Sequence, residues 1–240
     1  MSKIIILVTM LMPLILFGQS KLSIGGMGAF YRPGLAEVNE RFEVANSAGL
    51  DGVDVDKLEG NFLFGGFLGY QMLTNLGLRL QMTHWSEEAS IIPPPPVAGV
   101  SPDPRVRPLS TENQEIQVRT LMLDWLFYVN QPGSSIRVYF GAGLGVVFIR
   151  DKTSSEPVFG FKQSGEESFR EFGFKPIVGA DLFSAGKINL FVEAGYLISN
   201  YPVITSTLIE AADGSFSILV KAVNTSLNGL NATVGVKLSL

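Results

Sequence analysis

The chain has 240 residues, a net charge of −4, one histidine and no cysteine. The mild acidity gives no reason to expect nucleic acid as a partner, because nucleic-acid binding relies on clustered basic residues. The lack of cysteine excludes disulfide bonds, thiol nucleophiles and thiolate metal ligands.

The N-terminal segment has the layout of a secretory signal peptide. Lys3 is followed by an apolar run at 4–17 and by small and polar residues at 18–20. The run is shorter than the roughly 20 residues that cross a bilayer as a helix, which favours an exported and cleaved segment. We therefore expect a signal peptide at 1–20 and one domain at 21–240.

From residue 21 onward, apolar residues alternate with polar residues or glycine, which is the period-2 pattern of strands. Leu76, Leu78, Leu80 and Met82 share one face in this way. In the fourth strand the apolar phase slips by one residue near Arg119, which predicts a β-bulge. The pattern predicts eight strands, at 21–31, 60–73, 76–85, 114–129, 136–148, 169–183, 188–199 and 230–240.

The connections between these strands alternate in length. Three are short, at 74–75, 130–135 and 184–187, and four are long, at 33–60, 86–113, 151–168 and 200–226. Outer-membrane barrels have an even number of strands, short periplasmic turns and long extracellular loops. The sequence predicts an all-β fold, an eight-stranded antiparallel up-and-down transmembrane β-barrel; a soluble exported barrel is the alternative.

The second face of the strands carries charges of both signs among glycines, which suits a narrow polar lumen where charges must pair. We interpret them as a salt-bridge network that rigidifies the barrel, or as the lining of a narrow ion path. The residues are Arg79, Arg119, Asp124, Arg137, Lys175, Asp181, Glu193 and Lys237.

Aromatic residues gather toward both ends of the strands, as in the girdles at two membrane interfaces. Those near the short turns are Tyr70, Trp125, Phe127, Tyr128, Phe140 and Phe183; those near the long loops are Phe30, Phe62, Trp85, Phe148, Phe172 and Tyr201.

Several strands resemble a known family. The stretches RVYFGAGLGVVF (137–148), FGFKPIVGADLF (172–183), INLFVEAGYLIS (188–199) and ATVGVKLSL (232–240) look like the small outer-membrane β-barrel superfamily of OmpA- and OmpX-type barrels. Members usually end in an aromatic residue, whereas this chain ends in Leu240. The barrel is expected to be the whole protein.

The resemblance implies a place in the cell envelope, in the bacterial outer membrane. The implied partners are outer-membrane lipid and lipopolysaccharide, the barrel-assembly machinery and an extracellular ligand. No cofactor is expected.

His84 and Ser86 project toward lipid in this arrangement, at the end of the third strand. Barrels of the lipid A deacylase type are similar in using an outward His-x-Ser pair with a glutamate on a neighbouring strand, where histidine is the general base and serine the nucleophile. Glu115, or Glu112, begins the next strand, and Glu88 shares the parity of the pair. The alternative is an interfacial histidine beside Trp85.

Two loops carry distinctive composition. Asp51, Asp54, Asp56 and Glu59 are oxygen ligands suited to a hard cation, although their spacing is not that of an EF-hand, and a solvated acidic loop is the alternative. The proline-rich segment 91–108 favours a stiff, exposed polyproline II conformation.

The sequence therefore predicts a non-enzymatic barrel with a structural, adhesive or surface-interaction role through its long loops. An outer-leaflet lipid A hydrolase and a narrow channel for small solutes are the alternatives. A general diffusion pore is disfavoured because side chains can fill an eight-stranded interior.

Overall fold

The computed structural model describes the backbone of residues 21–34, 54–55, 60–92, 110–130, 134, 136–157, 163–210 and 216–240. The predicted signal peptide, Asp51, Asp56, Glu59 and residues 93–108 lie outside the described residues. In the described part, no helix is long and apolar enough to cross a membrane.

The described residues form eleven strands: β1 (Lys21–Pro33), β2 (Asp54–Val55), β3 (Asn61–Leu73), β4 (Leu76–Ile92), β5 (Ser110–Tyr128), β6 (Arg137–Pro157), β7 (Gln163–Ala185), β8 (Ile188–Leu197), β9 (Asn200–Glu210), β10 (Phe216–Ser226) and β11 (Gly229–Ser239).

Eight of these strands close into one antiparallel barrel, which confirms the predicted fold. Their order around the barrel is β4-β3-β1-β11-β8-β7-β6-β5, and β5 pairs back with β4. The short β2 pairs with the far end of β4, and β9 and β10 form a separate hairpin. Closure leaves every barrel strand with a neighbour on both sides for at least part of its length.

The barrel has two unlike ends. The short-turn end holds the turns at 74–75 and 186–187 and both ends of the described barrel chain. At the opposite end, which we call the long-strand end, β4, β5, β6 and β7 extend beyond the other strands. Their total lengths are 17, 19, 21 and 23 residues. Much of what was predicted as loop, including 86–92 and 151–157, is therefore strand, because each hairpin goes on pairing as far as Ile91–Glu112 and Ser155–Gln163.

The predicted β-bulge in β5 is wrong. β5 pairs with β4 and with β6 in an uninterrupted register. Ile116 and Val118 are buried inside the barrel, whereas Leu121 and Leu123 are exposed outside. The apolar residues of β5 therefore move from its inward face to its outward face without a bulge, because the interior of the barrel is apolar at the height of Ile116 and Val118.

The outer surface carries a continuous band of exposed apolar side chains. Phe172 is 66% exposed, Phe64 65% and Phe140 56%, and Leu and Val residues on all eight barrel strands share this exposure. Soluble monomers rarely expose a large contiguous apolar surface, and such a surface typically marks contact with another protein or with a membrane.

Two residues predicted to lie in the aromatic girdles are inside the barrel instead. Trp85 is 1% exposed and packs edge-on against Tyr31, with ring centroids 5.6 Å apart. Tyr128 packs against Tyr139 at 5.4 Å, next to a buried cluster. The predicted girdle residues on outward strand positions are Phe30, Phe62, Tyr70, Trp125, Phe127, Phe140, Phe148 and Phe172; the side chains of Phe183 and Tyr201 are outside the described residues.

Candidate functional site

A buried charge cluster crosses the middle of the lumen. Arg79, Asp124, Gly143 and Lys175 are register neighbours on β4, β5, β6 and β7, so they share one inward-facing row. Glu193 enters from β8. The four charged residues are each at most 5% exposed.

The four charges of this cluster balance one another. Arg79 Nε donates to Asp124 Oδ2 at 2.8 Å, and its Nη2 lies 2.7 Å from Glu193 Oε2. Lys175 Nζ donates to Gln81 Oε1 at 2.8 Å and lies 3.9 and 3.8 Å from the carboxylates of Asp124 and Glu193. Two cations and two anions leave no net charge, which matters because an uncompensated buried ion costs several kcal/mol.

Gly143 makes room for the cluster. A Cβ atom at this position would lie 2.2 Å from Oδ1 of Asp124, well inside van der Waals contact. The glycine therefore allows the Asp124 carboxylate to lie flat against β6 and point toward Arg79. A hydroxyl also supports the cluster, since Tyr139 donates to Glu193 Oε2 at 3.2 Å.

The other predicted lumen charges lie apart from this cluster. Lys237 pairs with Asp181, Nζ to Oδ2, at 2.6 Å. Arg137 lies over the Tyr128 ring at 3.8 Å and donates to Gln71 Oε1 at 3.3 Å and to the Thr74 carbonyl. Both groups are near the short-turn end.

The prediction that Arg119 faces the lumen is wrong. The unbroken register of β5 places Arg119 on the outside, where its side chain is exposed. Its strand neighbours Val118 and Thr120 point inward instead.

An apolar plug fills the lumen toward the long-strand end. Its members come from most of the barrel strands and pack as one cluster, with Trp85 and Tyr31 as the largest fully buried side chains. The plug comprises Ala29, Tyr31, Leu63, Trp85, Ala89, Ile116, Val118, Met122, Val147, Ile149, Leu197 and Leu227. The sequence predicts a polar lumen, but at the height of the plug the lumen is apolar.

A cavity of about 20 Å³ remains between the plug and the charge cluster, lined by Trp85 and Met122 on one side and by Gln81, Lys175 and Asn231 on the other. That volume is room for about one water molecule. The described side chains therefore leave little open space at this height.

The candidate catalytic residues lie on the outer surface of the barrel, at the limit of the apolar band nearer the long-strand end. Ser86 Oγ donates to Glu115 Oε1 at 3.5 Å, and Lys152 Nζ donates to Glu115 Oε2 at 2.7 Å. The hydrogen bond from Lys152 holds the pKa of Glu115 below its usual value. His84 Nδ1 has no hydrogen-bond partner among the described residues. The glutamate thus orients the serine and not the histidine, and the base–nucleophile contact of a His–Ser hydrolase is not formed.

The prediction of a cation site at Asp51, Asp54, Asp56 and Glu59 concerns side chains that lie outside the described residues. Asp54 pairs through its backbone with Ile92, but its side chain is outside the described residues. Within the described residues, no group of three His, Asp or Glu side chains is placed to hold a metal ion.

The predicted lumen network leaves out several residues that shape the lumen. Gln81 and Tyr139 have the same strand parity as Arg79 and Arg137, so parity alone places them inside. The inward positions of Tyr31 and Trp85 also follow from parity, but an aromatic residue near a strand end looks the same in a girdle as in a plug.

Comparisons with known proteins bear on the fold. The chain matches no protein-family model and no curated protein by sequence. A major outer membrane protein of Thermus thermophilus is similar in structure, with a TM-score of 0.55 at 14% identity, covering 93% of this chain and 100% of the other. OprG of Pseudomonas aeruginosa has a TM-score of 0.49 at 13% identity (92% and 95% covered), and the outer membrane protease OmpT of Escherichia coli 0.47 at 10% (92% and 96%). The likeness to the Thermus protein shows that this chain has the fold of small outer-membrane barrels.

Removing one charge from the buried cluster should destabilise the barrel strongly, because it leaves an uncompensated buried ion. In Arg79→Met, the carboxylates of Asp124 and Glu193 face only Lys175, and we expect the free energy of unfolding to fall by about 3–5 kcal/mol. The matched control Lys237→Met breaks a less buried pair and should cost only about 1 kcal/mol. Urea unfolding in lipid vesicles, followed by tryptophan fluorescence, measures both; equal losses would contradict the central role of Arg79.

Proposed function

We propose that this chain is an integral outer-membrane protein without enzymatic activity, whose barrel anchors a four-stranded sheet that extends beyond the membrane and interacts with molecules at the cell surface. The sheet consists of the outer ends of β4, β5, β6 and β7. The proposal has three parts, namely the location, the lack of catalysis and the lack of conduction.

The outward apolar band is the observation that carries the location. On β6 it runs from Val138 to Phe148, which is roughly 33 Å along the strand at about 3.3 Å per residue. Strands tilted by about 40° give that length a height of roughly 25 Å, the height of the apolar band on outer-membrane barrels. Short turns face the periplasm in such barrels, so the long-strand end is the extracellular one.

The extended hairpins support a surface role. β4 and β5 pair up to Ile91 and Glu112, and β6 and β7 up to Ser155 and Gln163, well past the limit of the apolar band near Met82 and Phe172. The described outward positions beyond that limit are polar or charged, as with Glu88, and they are the part of the barrel available to soluble molecules.

The membrane location is tested by fractionation. We expect the exported chain to sediment with outer membranes and to migrate faster on unboiled than on boiled gels, because a closed barrel with paired strands resists detergent unfolding. Recovery as a soluble periplasmic monomer with no shift on heating would contradict the proposal.

A hydrolase is the alternative that the outward His84 and Ser86 raised. Because Ser86 is hydrogen-bonded to Glu115 and the Nδ1 of His84 has no partner among the described residues, we expect no deacylation of outer-leaflet lipid. Mass spectra of lipid A should be the same from cells that express the wild type, His84→Ala or Ser86→Ala. Loss of an acyl chain with the wild type, but not with the variants, would establish the hydrolase instead.

A narrow channel is the second alternative. The plug around Trp85 and the charge cluster around Arg79 fill two successive levels of the lumen. In planar bilayers we therefore expect no discrete conductance steps over a range of voltages, with a 16-stranded porin as positive control. Reproducible openings by the purified barrel would overturn the closed lumen.

A further inference from the structure

Basic residues mark the upper limit of the apolar band on four neighbouring strands. The first outward residue past the band is His84 on β4, Arg119 on β5, Arg150 on β6 and Arg170 on β7. Their apolar neighbours on the same outer face are Met82, Leu121, Phe148 and Phe172, all exposed.

The strand register gathers three of these side chains around one aromatic ring. Phe148 is paired with Arg119 on one side and with Arg170 on the other. Arg150 is the next outward residue on the strand of Phe148, and all three arginines are exposed. We call Arg119, Arg150, Arg170 and Phe148 the arginine face.

The described acidic residues near this face neutralise only part of its charge. Arg150 pairs with Glu166, Nη2 to Oε1, at 2.6 Å, and farther out Lys152 pairs with Glu115 at 2.7 Å. Arg170 lies over the Phe148 ring at 5.2 Å, and neither Arg170 nor Arg119 has an ion-pair partner among the described residues.

The backbones of Arg119 and Arg170 therefore lie on either side of Phe148, about two strand spacings or roughly 10 Å apart, and neither guanidinium group has an ion-pair partner among the described residues. Guanidinium groups bind phosphate oxygens with paired hydrogen bonds, and the length of the arginine side chain allows both groups to reach one phosphate from opposite sides.

The surface beneath the arginine face suits acyl chains. Leu121 and Leu144 are exposed on the outer side just below it, and Phe172 lies beside them with 66% of its surface exposed. A ligand that fits both parts has a phosphate group at the membrane interface and hydrocarbon below. At the extracellular end, such a molecule is a phosphorylated glycolipid of the outer leaflet.

We propose that Arg119 and Arg170, with Arg150 above them, bind a phosphate group of an outer-leaflet glycolipid whose acyl chains pack on Leu121, Leu144 and Phe172. This inference rests on the proposed membrane location and on the extracellular position of the long-strand end. It makes the β4–β7 side of the barrel the lipid-binding side.

Binding to the purified, folded barrel in neutral detergent tests the proposal. The probes are bisphosphorylated lipid A and the same lipid A with its phosphates removed, followed by native mass spectrometry. We expect Arg119→Gln/Arg170→Gln to bind the phosphorylated lipid at least about tenfold more weakly, because each arginine loses charge-assisted hydrogen bonds. The dephosphorylated lipid should bind weakly to wild type and variant alike.

Arg32→Gln is the matched control, because Arg32 is likewise exposed just past the apolar band, next to Phe30, but lies on β1. It should bind as the wild type does. Equal weakening by Arg32→Gln, unchanged binding in the double variant, or equal affinity for phosphatidylglycerol would each overturn the proposal in favour of diffuse charge attraction.

Fractionation and heat-modifiable migration of the same variants separate this inference from the proposed function. If the double variant remains a heat-modifiable outer-membrane barrel but binds the phosphorylated lipid normally, only the lipid site is wrong. If even the wild type is not an outer-membrane barrel, the proposed function fails and the site fails with it.

Discussion

The closed hydrogen-bonded circuit of eight strands is the constraint on which the other features depend. Backbone groups that face hydrocarbon have no water to bind, so each spanning strand must pair on both sides. The β4–β5 pairing meets that requirement by joining the two ends of the sheet. Once the circuit is closed, strand parity assigns every side chain either to the lumen or to the outer surface.

The lumen is filled by two different kinds of packing at two heights. Toward the long-strand end lies an apolar plug, whose largest side chains are Trp85 and Tyr31. Close packing stabilises it, as in an ordinary protein core. In the middle, Arg79 joins Asp124 and Glu193 in a neutral cluster for which Gly143 leaves space. The outer surface is instead an apolar band that ends in exposed arginines on β5, β6 and β7.

The candidate sites were predictable to different degrees. Arg79, Asp124, Lys175 and Glu193 could be assigned to one face from alternation alone, because a charged residue between apolar ones belongs on the side away from lipid. Arg119 could not, because the apolar Ile116 and Val118 next to it belong to the plug and not to the outer band. Strand parity shows which residues share a face, but it does not show which face is inside where both faces are apolar.

The sequence by itself determined the fold class, the eight barrel strands and the positions of the short turns, because period-2 alternation and turn residues are local properties. Only the tertiary structure decided that β4 to β7 extend beyond the band, that Trp85 is in the lumen, that His84 is separate from the Ser86–Glu115 contact, and that three arginines surround Phe148. These features depend on the register between strands distant in sequence, and register is set by the pairing of the whole closed sheet.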